Sequence, residues 1–184
     1  MKTAAILLAD GFEEIEALGT VDILRRAEIH VDTVSMNPTN EVISSRNIPV
    51  QADKGFTDME GYDMLILPGG AGAWKNRDDD RVIALLKQYN EEGKMIASIC
   101  AGPMALGKAG ILKGKRVTSY PGEEIEGYLK DGIYVEDPVV TDGNITTSRG
   151  PATTFAFAYQ LVDLLGGNAE PIEEGMLYNR YLKK

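Results

Sequence analysis

Short apolar runs alternate with stretches of helical period from one end of the chain to the other. Residues 3–8 read as a buried strand, and Ile15, Leu18, Val21 and Leu24 then recur at near-helical spacing, which predicts a helix over 13–27. Val31–Ser35 is the next strand. A polar stretch with Pro38, Asn40, Pro49 and Gly55 leaves room for one or two short edge strands at most. Residues 63–67 form a strand that ends at Pro68-Gly69-Gly70. Val82, Leu85, Leu86 and Tyr89 mark a helix over about 79–91, and Met95–Ile99 is again a strand, with Cys100 at its end. A short helix begins at Pro103, further strands are predicted at 116–119 and Ile145–Ser148, and Phe155, Ala158, Tyr159 and Val162 mark a last long helix that Gly166-Gly167 stops.

Repeated β-α-β order implies a three-layer α/β/α fold, a doubly wound and mainly parallel sheet with helices on both faces. No repeat, low-complexity segment or linker interrupts it, so 1–184 reads as one domain. In such a sheet ligands bind beyond the carboxyl ends of the strands. That rule gathers the loop from Asp10 to Glu16, Gly69-Gly70, Cys100, Tyr120 and Arg149-Gly150 on one rim. His30, the one histidine, precedes its strand and belongs to the opposite rim, roughly 15 Å or more away. A Cys100–His30 dyad within one chain is therefore not expected, and His30 reads as a surface residue.

Charge narrows the function classes. The 28 acidic and 19 basic side chains give a net charge of −9, which argues against nucleic acid and anionic membrane surfaces as partners. The apolar run 4–9 stops at Asp10, with glutamates following, and resembles no signal peptide; no stretch has the length of a membrane span. One cysteine makes no intrachain disulfide, and a cytoplasmic location is expected. No cluster has metal-ligand spacing, so neither a metal nor another cofactor is expected.

Cys100 sits in Ser98-Ile99-Cys100-Ala101-Gly102-Pro103. The order of strand, cysteine, small residue, glycine and helix is that of a nucleophile elbow. The dipole of the following helix would favour a thiolate, and the Ala101 amide would be free to bind an oxyanion. A buried structural cysteine is the plainer alternative. Glu13, Glu14 and Glu16 open the first helix, where carboxylates are favoured by the dipole alone. One of them aimed over the rim could serve Cys100 as a general acid/base, and spacing leaves open which. Gly69-Gly70 lacks the lysine and hydroxyl of a P-loop and fits close backbone approach to a small substrate better than a nucleotide. Asp78-Asp79-Asp80 reads as a cap and a solvated helix start.

Four segments in register carry a resemblance: Leu8-Ala9-Asp10-Gly11-Phe12-Glu13-Glu14-Ile15-Glu16, Leu67-Pro68-Gly69-Gly70, Ile99-Cys100-Ala101-Gly102-Pro103 and Thr147-Ser148-Arg149-Gly150-Pro151. Together they resemble the ThiJ/PfpI superfamily, in the branch that contains the Parkinson-disease-associated protein deglycase, up to about Gly167. The resemblance implies a flavodoxin-like fold related to class I glutamine amidotransferase domains, and a homodimer. By position it makes Cys100 the nucleophilic or oxidation-sensing cysteine and Glu16 the carboxyl group that contacts it. It further implies that Gly69, Gly70 and Ala101 supply backbone donors, that Arg149 lies near the pocket or the dimer interface, and that Arg46 reaches a partner's pocket. Two departures stand out. Ala101 occupies the place of the histidine used by the proteolytic branch, which disfavours peptidase activity. Tyr120 replaces a histidine common in the deglycase and glyoxalase branch, and a phenol donates a hydrogen bond but is a poor base at neutral pH.

Two functions follow as expectations. One is a cofactor-free enzyme acting on reactive 2-oxoaldehydes or early glycation adducts. The other is an oxidative-stress sensor or redox-regulated chaperone, in which Cys100 becomes a sulfinic acid stabilised by Glu16. An amidotransferase-like or thiazole-biosynthesis role rests on fold analogy alone. The tail after Gly167, with Tyr178 and Tyr181, either covers the core or contributes to a dimer.

Overall fold

The computed structural model describes residues 1–182. The chain begins with β1 (Ala4–Leu8), α1 (Glu14–Arg26) and β2 (Val31–Ser35). A hairpin of β3 (Glu41–Ile43) and β4 (Pro49–Gln51), the short β5 (Lys54–Gly55) and β6 (Met64–Leu67) follow. Next come α2 (Gly72–Asp78), α3 (Asp80–Glu91), β7 (Met95–Ile99), α4 (Pro103–Lys108) and β8 (Arg116–Val117). The remainder is α5 (Glu123–Gly127), β9 (Ile133–Tyr134), β10 (Val139–Asp142), β11 (Ile145–Ser148), α6 (Thr154–Leu164), α7 (Glu170–Gly175) and α8 (Tyr178–Tyr181).

The main sheet has the order β10-β11-β7-β6-β1-β2-β5 and is parallel except where β10 pairs with β11. Strand β1 is buried along its whole length because both faces are covered, which is why it reads as a continuous apolar run. Its side chains alternate between two cores. Ala4, Ile6 and Leu8 face α1 and α6, while Ala5 and Leu7 join Val82, Leu86 and Tyr89 of α3 on the other face. Each large aliphatic side chain so buried contributes about 1.5–3 kcal/mol.

Several elements differ from the sequence reading. The polar stretch holds three short strands where the pattern predicts at most two, with β3 and β4 paired apart from the main sheet and only β5 at its edge, and α5, β9, α7 and α8 have no counterpart in that reading. The strand expected at 116–119 is only Arg116–Val117, and it pairs with β9 outside the main sheet. The neighbour of β7 on that side of the main sheet is β11. Strand β10 was not foreseen and makes the sheet mixed. Helix α2 fills what reads as a glycine-rich loop, its start anchored by Gly72 N–H donating to the Gly11 carbonyl at 3.0 Å. The tail covers the core: Ile172, Met176 and Tyr178 pack on the α1/α6 side, and Tyr178 lies 4.9 Å from the Tyr159 ring, centroid to centroid. Among the described residues no helix is long and apolar enough to cross a membrane.

Candidate active site

From β1 the chain goes to β2 on one side, and it later returns to β6 on the other. That reversal opens a crevice beyond the carboxyl ends of β1 and β6. A cavity of about 690 Å³ lies there, with Asp10, Glu13, Glu16, Gly70, Cys100 and Tyr120 in its wall.

Cys100 terminates β7 in the left-handed region at φ 64°, a conformation that costs a non-glycine residue about 1–3 kcal/mol. The backbone holds it there from both sides. Its N–H donates to the Ser148 carbonyl at 3.0 Å, and its carbonyl accepts from Tyr120 N–H at 2.9 Å. The turn closes because position 102 is glycine: a Cβ there would meet Ser98 Oγ at 2.4 Å and the Leu67 carbonyl at 2.6 Å. Cys100 is 9% exposed and borders the cavity.

Helix α1 separates its three glutamates. Glu13 is the N-cap, its Oε2 accepting from Glu16 N–H at 2.8 Å. Glu14 Oε1 accepts from Ser44 Oγ at 3.1 Å and ties α1 to the β3–β4 hairpin. Glu16 alone turns inward and is 0% exposed. Its Oε2 accepts from Gly69 N–H at 2.8 Å, whereas Oε1 has no hydrogen-bond partner among the described residues. Gly69 is the contact point between the two groups: a Cβ there would lie 2.6 Å from Glu16 Oε2 and 2.8 Å from Cys100 Sγ.

Among the described residues no cation pairs with this buried carboxyl group. Burial pushes Glu16 up to about 7, against hydrogen bonding from Cys100 and the Gly69 amide, which pulls it down, and the nearby Glu13 charge adds to the rise. Burial likewise pushes the Cys100 thiol up, helped by the Glu16 charge, while the amides of Ala101 and Gly70 aim at the sulfur and pull it down. The helix dipole expected to favour a thiolate comes from a helix of only 6 residues and is outweighed by burial and by Glu16. A proton moved from sulfur to Glu16 removes the repelling charge and leaves a carboxylic acid facing the sulfur, so the pair titrates as a unit.

The other predicted residues divide. Tyr120 is in the cavity wall and 47% exposed. Arg46 also lines the cavity. Arg149 does not: its Nε donates to the Ser119 carbonyl at 3.2 Å and one terminal nitrogen to the Glu136 carbonyl at 3.4 Å. His30 lies on the far rim, as its place in the chain implies, with Nε2 at 3.3 Å from Asp32 Oδ1. Sequence reasoning missed Lys75, Ser44 and Ser45 in the cavity wall. Lys75 lies on the unforeseen α2, and no pattern in the chain signals it. Among the described residues no group of three or more His, Cys, Asp or Glu side chains gathers as a metal site.

A flavodoxin-like sheet carrying a strained cysteine beside a buried, unneutralised carboxyl group defines a narrow class of α/β proteins. The chain belongs to the DJ-1/PfpI family, whose profile matches residues 2–164. It is 35% identical to protein dj-1beta of Drosophila melanogaster over 182 residues, covering 96% of this chain and 97% of that one. It is 39% identical to the Parkinson disease protein 7 homolog of Danio rerio over 90% of each chain. A deglycase of Pyrococcus abyssi is 34% identical over 87% of this chain and 97% of its own. Among solved structures, the crystal structure of Drosophila DJ-1beta superposes with a TM-score of 0.89 at 36% identity, covering 96% and 97% of the two chains. The oxidised DJ-1 of Toxoplasma gondii gives 0.87 at 33% identity, over 97% and 99%.

Proposed function

We propose that this chain is a cysteine-dependent enzyme, working without metal or organic cofactor, that acts on reactive 2-oxoaldehydes or on early glycation adducts. The observation that carries the reading is Glu16, a fully buried carboxyl group with one oxygen fixed by Gly69 and the other unpartnered, next to Cys100. A carboxyl group pushed up to about 7 is suited to give and take protons at neutral pH. The deglycase name of the Pyrococcus relative points to the same substrate class.

In this reading the Cys100 sulfur adds to the aldehyde carbon, and that oxygen takes a proton to give a hemithioacetal. The amides of Gly70 and Ala101 face the developing oxyanion, and Tyr120 donates a hydrogen bond from the cavity wall. Glu16 removes the proton from the former aldehyde carbon and returns it to the adjacent carbonyl carbon, while the hemithioacetal hydroxyl proton passes to the former ketone oxygen, leaving a 2-hydroxy thioester. Water cleaves the carbon–sulfur bond, which frees the hydroxy acid and regenerates the cysteine. Arg149, which binds the Ser119 carbonyl beside Tyr120, acts through the backbone of that loop. A homodimer accords with the exposed apolar Ile15 and Ile48, on segments that the Glu14–Ser44 hydrogen bond brings together. Sedimentation should then give twice the chain mass. The test of the enzyme is lactate formation from methylglyoxal. Turnover by the parent protein that is lost in Cys100→Ser and in Glu16→Gln is expected, and full activity in Glu16→Gln would rule the mechanism out.

A second reading is an oxidation sensor in which a protonated Glu16 hydrogen-bonds a Cys100 sulfinate. The convergence of the Ala101 and Gly70 amides on the sulfur favours it, since the same donors hold a sulfinate oxygen. Mass spectrometry after mild peroxide should then show two added oxygens on Cys100; oxidation of methionines alone would exclude it.

A further inference from the structure

The hairpin of β3 and β4 lies apart from the main sheet, and its turn docks on the loop after β1. Phe12, in that loop, bridges in strand fashion to Ser44 of the turn and to Gly70 of the site. Three contacts build this small ladder: Gly11 N–H on the Ile43 carbonyl at 2.7 Å, Ser45 N–H on the Phe12 carbonyl at 2.8 Å and Glu13 N–H on the Gly69 carbonyl at 3.0 Å. The last of these orients the peptide between Gly69 and Gly70. Its carbonyl is held by Glu13, so its N–H, on the opposite edge of the planar trans peptide, is free to aim at the Cys100 sulfur. Gly70 adopts this conformation at φ 76°, in the left-handed region that suits glycine.

One side chain enters the ladder where it meets Gly70. Ser45 Oγ donates to the Gly11 carbonyl at 2.6 Å, and the same carbonyl accepts from Gly72 N–H at 3.0 Å. The hydroxyl also presses on Gly70: a Cβ there would lie 2.7 Å from Ser45 Oγ and 2.4 Å from the Gly11 oxygen. We propose that Ser45 is a positioning residue for the reactive cysteine, its hydroxyl holding the loop 11–13 against Gly70 and so keeping the Gly70 amide on the sulfur. The consequence for turnover rests on the reading of Cys100 as the nucleophile. Without the hydroxyl, the Gly11 carbonyl keeps one of its two donors, a gap of one oxygen atom opens against Gly70, and the peptide that carries the amide is free to tilt. The neighbouring Ser44 does not replace it, because its hydroxyl is engaged with Glu14 of α1 and not with Gly11.

Amide hydrogen exchange of the intact protein tests this, read as the rate at Gly70 relative to the buried amides of β1, a ratio that removes any change in overall stability. Ser45→Ala takes away the oxygen and adds nothing, and should raise the ratio about tenfold. Ser45→Thr and Ser45→Val share one shape and differ in the hydroxyl, so the ratio should be clearly lower in the first than in the second. Asn37→Ala is the control. It cuts another tie of the same hairpin, the 2.9 Å hydrogen bonds from Asn37 Nδ2 to Asp10 Oδ1 and to the Glu41 carbonyl, and should leave the ratio at its parent value. An unchanged ratio in Ser45→Ala overturns the proposal, and so does an equal rise in Asn37→Ala or an equal ratio in Ser45→Thr and Ser45→Val. With methylglyoxal, Ser45→Ala should lower kcat about tenfold and leave KM within about twofold of the parent, since the amide serves the developing oxyanion and not the bound aldehyde. A change confined to KM would also overturn the proposal. A parent protein that forms no lactate removes the enzyme reading alone, because the exchange ratios decide the role of Ser45 without any reaction at Cys100.

Discussion

The two rims of the main sheet carry similar side chains in opposite states. At the amino-terminal rim, Asp32 accepts from the Tyr62 hydroxyl and lies 3.3 Å from the exposed His30. Nearby, Asp53 accepts from Thr33 N–H at 2.8 Å and pairs with Arg25 at 2.6 Å. Burial pushes Asp53 up, yet hydrogen bonds from Thr33 and the Arg25 charge more than offset it and hold the carboxyl below its ordinary value. At the carboxyl-terminal rim, Glu16 is buried with no cation paired to it among the described residues and is driven the other way, to about 7. The lesson is that the inventory of titratable groups does not locate chemistry. Desolvation of a carboxyl group without a compensating charge does, and here it lies where the strand ends converge.

The largest effect that sharpens the contrast is on turnover. Cys100→Ser should abolish lactate formation from methylglyoxal, and Glu16→Gln should reduce it by roughly 10²–10⁴-fold, since it removes the general acid/base and keeps the shape. Gly69→Ala comes next. Its methyl group would intrude at 2.6 Å on Glu16 Oε2 and on Cys100 Cβ, with a loss of about 1–3 kcal/mol in denaturant unfolding and most of the activity.

The third effect is on stability against pH, and the rims differ in sign. Folding raises Glu16 from 4.5 to about 7, so the native state binds the proton more tightly than the unfolded chain. The Glu16 contribution to stability is full below pH 4.5, falls as pH rises through this window and levels off above about 7, by about 3 kcal/mol in all. Glu16→Gln should therefore be more stable than the parent at pH 8 and lose that advantage at pH 5, as read by urea unfolding at both values. Asp53 acts oppositely. Its depressed carboxyl stabilises above its unfolded value and ceases to do so as pH falls through the folded one. Because the Asp53 side chain is 41% exposed, Asp53→Asn should cost under about 1 kcal/mol. Smallest of all, His30→Gln should leave turnover unchanged; a loss of activity there would break the contrast between the rims.

Much of the carboxyl-terminal rim is legible in the chain itself. Buried parallel strands write themselves as apolar runs, and the rule for strand ends then places Asp10 to Glu16, Gly69-Gly70 and Cys100 together. What spacing leaves open is the orientation of one helix turn. Glu13, Glu14 and Glu16 are equally plausible until the N-cap fixes Glu13 and the hairpin engages Glu14. Strand β10 had a readable sign, Gly143-Asn144 between two β-rich runs, a two-residue hairpin turn. Helix α2 had none, since its start depends on a bond from Gly72 to Gly11, a contact made only by the assembled fold, and Lys75 was hidden with it. That Arg116–Val117 pairs with β9 outside the main sheet, while β11 lies beside β7, is a long-range pairing that no local pattern records.

The direct test is the titration of Glu16 itself, followed through the side-chain carboxyl carbons of glutamate-labelled protein. The account predicts one resonance that moves near pH 7, is absent in Glu16→Gln and shifts its midpoint in Cys100→Ser. Glutamate carboxyl groups that all titrate near their ordinary value, with none altered by Cys100→Ser, would contradict it.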